Sequence, residues 1–281
     1  MRVRRALALV TAGLTAPVLA AAAAVLIGGA PAEAATAVSL ANTISLSNCS
    51  ASLVRFPTSI SSDRAMMLTN GHCYEGGFIN AGVILQNRTS SRSGSLLNSS
   101  GRALTTVRAD RVLYATMTGT DVTLYRLTST YATLSSRYGA TALTIAAAKS
   151  AAGSSVSIPS GYWKEIWTCK IDSYVPTLRE DQWTWHDSLR YDTACDTIHG
   201  TSGSPIVDAS TGQLVGINNT GNDDGEMCTL DNPCEVDANG TTHAYQGQSY
   251  GEETYWFTTC LTSSRTIDLT VAGCLLTKPA P

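Results

Sequence analysis

Short runs in which apolar and polar residues alternate recur along the chain. Ala51-Ser52-Leu53-Val54-Arg55-Phe56, Arg64-Ala65-Met66-Met67-Leu68-Thr69 and Val122-Thr123-Leu124-Tyr125-Arg126-Leu127 are three of them. Ser155-Val156-Ser157-Ile158 and Gln213-Leu214-Val215-Gly216-Ile217 follow later. A period of two puts alternate side chains on one face and predicts half-buried strands. Clusters of Gly, Ser, Asn and Pro separate the runs, and many short strands spaced by turn residues predict an all-β sandwich or barrel. The stretch from Ser129 to Gly153 is rich in Ala, Ser and Thr without a clear period, and reads as a linker between two halves. Thr266 to Leu276 admits a short C-terminal helix. The chain contains no internal repeat and no Gly-rich nucleotide loop.

Composition narrows the class. The 281 residues are 43% hydrophobic and 15% charged, with a formal charge of -3. Disordered polyelectrolytes need the reverse balance. A sequence pI of about 5.8 and the lack of any Lys/Arg-rich run argue against nucleic acid as a partner. The start of the chain, Met1-Arg2-Val3-Arg4-Arg5, leads into an apolar run from Ala6 to Gly29 and then Ala32-Glu33-Ala34. A basic head, an apolar middle and an A-x-A site make a secretory signal peptide over residues 1–34. The alternative is a retained anchor. Pro17 and the many Ala residues make the run a mediocre span. Arg4-Arg5 lacks the flanks of a twin-arginine signal. The expectation is a secreted, extracellular mature chain over 35–281, free of the membrane after signal removal and monomeric.

All eight cysteines, Cys49, Cys73, Cys169, Cys195, Cys228, Cys234, Cys260 and Cys274, lie beyond residue 34. An even number in an exported chain implies disulfides. Zinc would need Cys/His pairs at ligand spacing, and none is present. In chain order the cysteines fall as four successive pairs, each closing a local loop, although eight cysteines allow about 105 pairings.

Three segments carry chemistry. In Ile198-His199-Gly200-Thr201-Ser202-Gly203-Ser204-Pro205-Ile206-Val207 a tight turn of small residues runs into an apolar strand. A serine nucleophile needs a base and an exposed, aimed position. Flanking glycines would let the Gly200 and Ser202 N–H groups converge as an oxyanion hole. Met67-Leu68-Thr69-Asn70-Gly71-His72-Cys73 ends an apolar strand in a histidine suited to act as base. Thr118-Gly119-Thr120-Asp121 opens a third strand with a carboxylate that would accept from His72 Nδ1 and fix its tautomer. Each segment alone also fits a plain turn or loop.

In the order His, Asp, Ser, these segments resemble the trypsin/chymotrypsin-like serine peptidase family over nearly the whole mature chain. Thr69-x-x-His72-Cys73, Asp121-hydrophobic-x-Leu124 and Gly200-x-Ser202-Gly203-x-Pro205 carry the resemblance. Gly216-Ile217-Asn218 looks like the strand that lines the cleft. The resemblance implies two six-stranded antiparallel β-barrels, about 45–128 and 154–276 around the linker 129–153, with His72, Asp121 and Ser202 at their junction. It also implies a Cys49–Cys73 bridge pinning the His72 loop. Cys169–Cys195, Cys228–Cys234 and Cys260–Cys274 follow from proximity and order. Ser204 in place of a second glycine resembles the bacterial, glutamyl-endopeptidase-like branch.

The family implies hydrolysis of peptide bonds in protein or peptide substrates with no cofactor and no metal. Departures from its pattern bear on activation and specificity. Thr201 stands where animal trypsins carry the Asp that receives a new N-terminus, and no Ile-Val-Gly-Gly start is present. Activation by N-terminal insertion is therefore not expected. Asp196, six residues before Ser202, has the offset of the pocket base that selects Arg or Lys at P1. Thr197 and Asn218 would line the same pocket. The rival is Glu specificity, whose bacterial representatives often carry His where this chain has Asn218.

Among the other histidines, His199 is expected at the cleft rim or in solvent, and His186 against the aromatic residues Trp183 and Trp185. Glu235 to Gly240 resembles the start of a calcium loop, but its twelfth position is Gln246. A solvated acidic loop stapled by Cys228 and Cys234 is the preferred reading. Two other functional classes remain. One is a catalytically silent binding protein on the same fold. The other is a serine esterase, which usually uses a G-x-S-x-G elbow and the opposite chain order.

Overall fold

The computed structural model describes residues 38–280. The signal-peptide expectation for residues 1–34 lies outside them. Eight strands form the first sheet: β1 (Thr43–Ser45), β2 (Ser50–Arg55), β3 (Arg64–Thr69), β4 (Ile84–Thr89), β5 (Ser93–Leu97), β6 (Ala103–Thr116), β7 (Val122–Thr130) and β8 (Leu143–Thr144). Its order is β1-β5-β6-β7-β3-β2, and β1 pairs again with β2, so six antiparallel strands close on themselves. Closure removes the open edges that an antiparallel sheet would otherwise present. β4 adds to β6, and β8 runs parallel to β2.

The second sheet holds β9 (Ser155–Ser160), β10 (Glu165–Glu180), β11 (Trp183–Tyr191), β12 (Pro205–Asp208), β13 (Leu214–Gly221), β14 (Cys234–Val236), β15 (Thr242–Ala244) and β16 (Ser249–Glu253). β10 serves two partners. Its first part pairs with β9 from Glu165 to Lys170, and its second part with β11 from Ile171 to Glu180, with a register shift at Ile171/Ser173. Through β11, β16, β13 and β12 the pairings return to β9. The hairpin β14–β15 extends from the end of β10.

The expected linker contains the one α-helix of the described residues, α1 (Tyr131–Tyr138). Thr130 caps its N-terminus by accepting from Thr133 N–H, and Gly139 ends it at φ 66°. Tyr131 and Leu134 are its buried residues, a stripe too short to stand out in an Ala/Ser/Thr background. The expected helix at Thr266 to Leu276 is replaced by turns. A 3-10 helix instead occupies Tyr255–Cys260, and Cys260 bridges Cys274. Leu276 is buried, and Thr277 O accepts from Tyr114 OH at 3.0 Å, so the tail folds back onto the first sheet.

Apolar burial is continuous between the sheets. Leu53, Met67, Val112 and Tyr125 of the first pack in one cluster with Val175, Leu178, Trp183, Trp185 and Tyr250 of the second. The two indoles also find polar partners: Trp183 Nε1 donates to Ile79 O at 2.8 Å and Trp185 Nε1 to Met117 O at 2.9 Å. Backbone bonds cross as well. Gly119 N–H reaches Thr184 O, His186 N–H reaches Gly119 O, and Ser50 N–H reaches Ser202 O at 2.8 Å. The loops before Asp121 and around Ser202 are thereby each fixed to the opposite sheet. Among the described residues no helix is long and apolar enough to cross a membrane.

Candidate active site

His72 sits in the turn that follows β3. Tyr74 N–H closes this turn on Gly71 O, and the Cys49–Cys73 disulfide ties it to the start of β2. A Cβ on Gly71 would lie 2.1 Å from Thr116 O and 2.6 Å from Asp121 Oδ1, so only glycine lets the turn approach the carboxylate this closely. Asp121 precedes β7 and is fully buried. Its Oδ1 accepts the His72 backbone N–H at 3.0 Å, and its Oδ2 meets His72 Nδ1 at 2.7 Å. Asn70 Nδ2 donates to Asp121 O, fixing the backbone as well. A buried charge is tolerated only when paired and hydrogen-bonded, and these contacts supply both. Burial lowers the His72 pKa, but the Asp121 charge and hydrogen bond, helped by Glu180 and Asp231, outweigh it and leave the pKa raised above 6.5.

Ser202 lies in the turn before β12. Gly203, at φ 76°, has no room for a side chain, since a Cβ would stand 2.2 Å from both Ser50 O and Thr69 Oγ1. Thr201 N–H bonds Ile198 O, Gly203 N–H bonds Asn218 O, and Ser204 N–H bonds Thr201 O. The Gly200 and Ser202 N–H groups donate to no protein acceptor among the described residues. The Ser202 hydroxyl donates to Asn219 O at 3.2 Å. Thr201 Oγ1 donates to Ile198 O of its own loop and accepts from Asn218 Nδ2 of β13, so its hydroxyl is fully partnered.

A cleft of about 410 Å³ joins these groups. His72, Asp121, Thr197, Gly200, Ser202 and Asn218 all line it. Asp196 does not. Its side chain is exposed, its carbonyl accepts from Trp167 Nε1 at 2.8 Å, and the Cys169–Cys195 bridge anchors the loop immediately before it. The expectation of a buried carboxylate at 196 is corrected accordingly. The carboxylates that do line the cleft are Glu180, Asp223 and Asp231, besides Asp121, and no Lys or Arg is among its lining residues.

Sequence reading missed Glu180 and Glu252. Glu180 ends β10, next to a hairpin turn where an acidic residue is unremarkable. It is buried, accepts from Thr220 Oγ1 and Asp231 N–H, and has its pKa pushed up to about 7 by desolvation. Glu252 in β16 is fully buried and accepts from Thr120 Oγ1, Ser188 Oγ and Asn219 Nδ2. Desolvation, followed by the nearby Asp121 charge, raises its pKa to about 8. Glu252 thus links the residue before Asp121 to the residue whose carbonyl receives Ser202. Closure of the second sheet and its packing on the first bring these positions together, so no local signal marks them.

The remaining polar candidates have structural partners. His199 is at the rim, exposed, with Nε2 2.7 Å from Asp223 Oδ2. His186 is exposed, and its Nδ1 lies near Pro176 O, not against the tryptophans. His243 stacks on Tyr245. The calcium-like segment is the β14–β15 hairpin: Glu235 receives Arg190 and Tyr250 OH, and Asp237 receives the Asn239 and Thr241 N–H groups of its turn. Cys49, His72 and Cys73 cluster closely, but both sulfurs are held in their disulfide and are not free to ligate. The other bridges are Cys169–Cys195, Cys228–Cys234 and Cys260–Cys274.

A family model of the trypsin-like peptidase domain matches residues 58–217, an interval that contains His72, Asp121 and Ser202. The chain belongs to this family. No curated protein sequence matches the trypsin-like peptidase described here. Solved structures similar to this peptidase include the MamO protease domain from Magnetospirillum magneticum, at 13% identity and TM-score 0.46, covering 75% of this chain and 91% of that one. The active form of Rv3671c protease from M. tuberculosis is 14% identical with TM-score 0.46, covering 85% and 82%. Nocardiopsis protease (NAPase) is 16% identical with TM-score 0.42, covering 76% and 90%.

Proposed function

We propose that this trypsin-like peptidase is a secreted serine endopeptidase of the bacterial branch, with Ser202 as nucleophile, His72 as base and then acid, and Asp121 as the group that orients His72. The observation that carries this reading is the double grip of one buried carboxylate on His72, its backbone N–H and its Nδ1, across a cleft from a glycine-flanked serine. With Nδ1–H facing Asp121, Nε2 is left as the acceptor. A side-chain rotation carries the Ser202 hydroxyl from Asn219 O to Nε2 as substrate enters. Attack on the scissile carbonyl forms the tetrahedral intermediate, and the free Gly200 and Ser202 N–H groups receive its oxyanion. His72 then returns the proton to the leaving amine, and water repeats the sequence on the acyl-enzyme.

The basic head, apolar run and four disulfides support export. Thr201 is partnered by Ile198 O and by Asn218 Nδ2 of β13, which supports activation without a new N-terminus. For specificity, cleft carboxylates and the absence of a lining Lys or Arg favour basic over acidic side chains, so Arg or Lys is preferred to Glu at P1. Profiling residues 35–281 on a peptide library varied at P1 tests the reading. Cleavage after basic residues, abolished by Ser202→Ala, is expected. Equal cleavage by Ser202→Ala would overturn the serine mechanism, and a preference for Glu would overturn the specificity.

A further inference from the structure

The oxyanion donor at Gly200 depends on which way one peptide plane faces. In a trans peptide the C=O of residue 199 and the N–H of residue 200 point in opposite directions. Gly200 has φ 88°, a conformation glycine enters easily, so the 199–200 plane has little intrinsic resistance to turning over. If it did, the His199 carbonyl would face the cleft and the donor would be lost.

A feature outside the triad opposes that turn. Trp163 Nε1 donates to His199 O at 2.7 Å. The rings of Tyr162 and Trp163 meet edge to face and sit over Gly200, where a Cβ would come within 2.9 Å of Trp163 Nε1 and Tyr162 Cδ1. Their turn is itself fastened to the nucleophile loop. Ser50 Oγ contacts Ser160 Oγ at 2.8 Å, receives Tyr162 N–H and lies 3.2 Å from Gly200 O, while Trp163 N–H donates to Ser160 Oγ. In the turned-over state the Gly200 N–H would face the indole N–H, two donors with no acceptor between them. Trp163 is nevertheless 44% exposed, so burial of its ring does not account for it.

We propose that Trp163 is a positioning residue of the peptidase: its indole N–H holds the His199 carbonyl away from the cleft and so aims the Gly200 N–H at the oxyanion. The inference rests on the serine-peptidase reading. Trp163→Phe in the full mature chain keeps an aromatic ring and removes the donor. The expected result is a kcat about 10- to 100-fold lower, with KM nearly unchanged. This is below the order of 10² to 10³ that complete removal of an oxyanion donor costs, because the Gly200 N–H is still present and is misdirected only in the turned-over population. A peptidyl trifluoromethyl ketone, which forms a tetrahedral oxyanion on the serine, should bind more weakly by the same factor. The thermal midpoint should stay within a few degrees, as for other exposed positions. Unchanged kcat and inhibitor affinity, or a loss confined to KM, would overturn the proposal. If Trp163→Phe does not fold, benzothienylalanine at 163 keeps the bicyclic shape without the N–H, and the same two readouts decide. A wild-type chain that neither cleaves peptides nor binds the ketone would instead remove the underlying serine-peptidase reading.

Discussion

Replacing Asp121 by Asn separates the charge and tautomer roles of this residue from its shape. The carboxylate accepts twice from His72, at the backbone N–H (3.0 Å) and at Nδ1 (2.7 Å). An amide has one acceptor and one donor end. If its oxygen keeps the His72 backbone N–H, its NH₂ faces Nδ1. Nδ1 must then accept, the ring proton moves to Nε2, and Nε2 can no longer take the Ser202 proton. If the amide is reversed, its NH₂ meets the His72 backbone N–H and a fully buried donor is left unpaired, at a cost of about 1–3 kcal/mol. The first arrangement is favoured, so the variant should fold with the wrong tautomer. A wrong-tautomer histidine lowers kcat by about 10⁴, or roughly 5.5 kcal/mol of transition-state stabilisation.

Steady-state hydrolysis of a peptide amide measures the loss, and ¹⁵N NMR of the imidazole reads the tautomer directly. Asp121 is also the main influence raising the His72 pKa. The wild-type kcat/KM should therefore rise with pH through an inflection above 6.5 as His72 becomes neutral, and the inflection should move down in Asp121→Asn. A loss under tenfold, or an Nδ1–H tautomer retained in the variant, would refute the reasoning.

Other perturbations follow from the same contacts. Gly203→Ala forces a side chain into the left-handed region at about 1–2 kcal/mol and against Ser50 O and Thr69 Oγ1, adding about 1–3 kcal/mol. Calorimetry should show a thermal midpoint lower by at least about 5 °C, and an unchanged midpoint would contradict the packing. The carboxyls of Glu180, Glu252 and Glu253 are raised, chiefly by desolvation, to about 7, 8 and 9 from 4.5. The folded chain then holds protons the unfolded chain has released, so stability is fullest below about pH 4.5 on their account and is lost as pH climbs through 7 to 9. The thermal midpoint should fall between about pH 5 and 9, less steeply in Glu253→Gln; a midpoint that rises over this range would contradict the burial. Asp196→Ser should leave the P1 profile unchanged, because the side chain is exposed and outside the cleft; loss of cleavage after Arg and Lys would restore Asp196 to the pocket.

Much of the β architecture was legible because alternation is a local signal. The run from Arg64 to Thr69 is β3, and those beginning at Val122 and Ser155 open β7 and β9. Helix α1 escaped because only Tyr131 and Leu134 are buried, although Thr130 and Gly139 mark its ends in hindsight. The triad candidates were legible as motifs, since each sits in a short turn whose glycines have no room for a Cβ. Asp196 was misjudged because an offset along the chain does not determine which way a loop is anchored; Trp167 and the Cys169–Cys195 bridge decide that. Glu180, Glu252 and Trp163 were illegible for the complementary reason. Their contacts, Glu180 with Thr220, Glu252 with Thr120 and Trp163 with His199, join segments far apart in the chain that meet only in the folded sheets.

The most direct test of Ser202 as an activated nucleophile is labelling of the native mature chain with a fluorophosphonate, followed by peptide mapping. The expected result is one adduct, on the peptide carrying Ser202, absent in Ser202→Ala and strongly slowed in His72→Ala. No adduct on the wild-type chain, or undiminished labelling of Ser202→Ala, would contradict it.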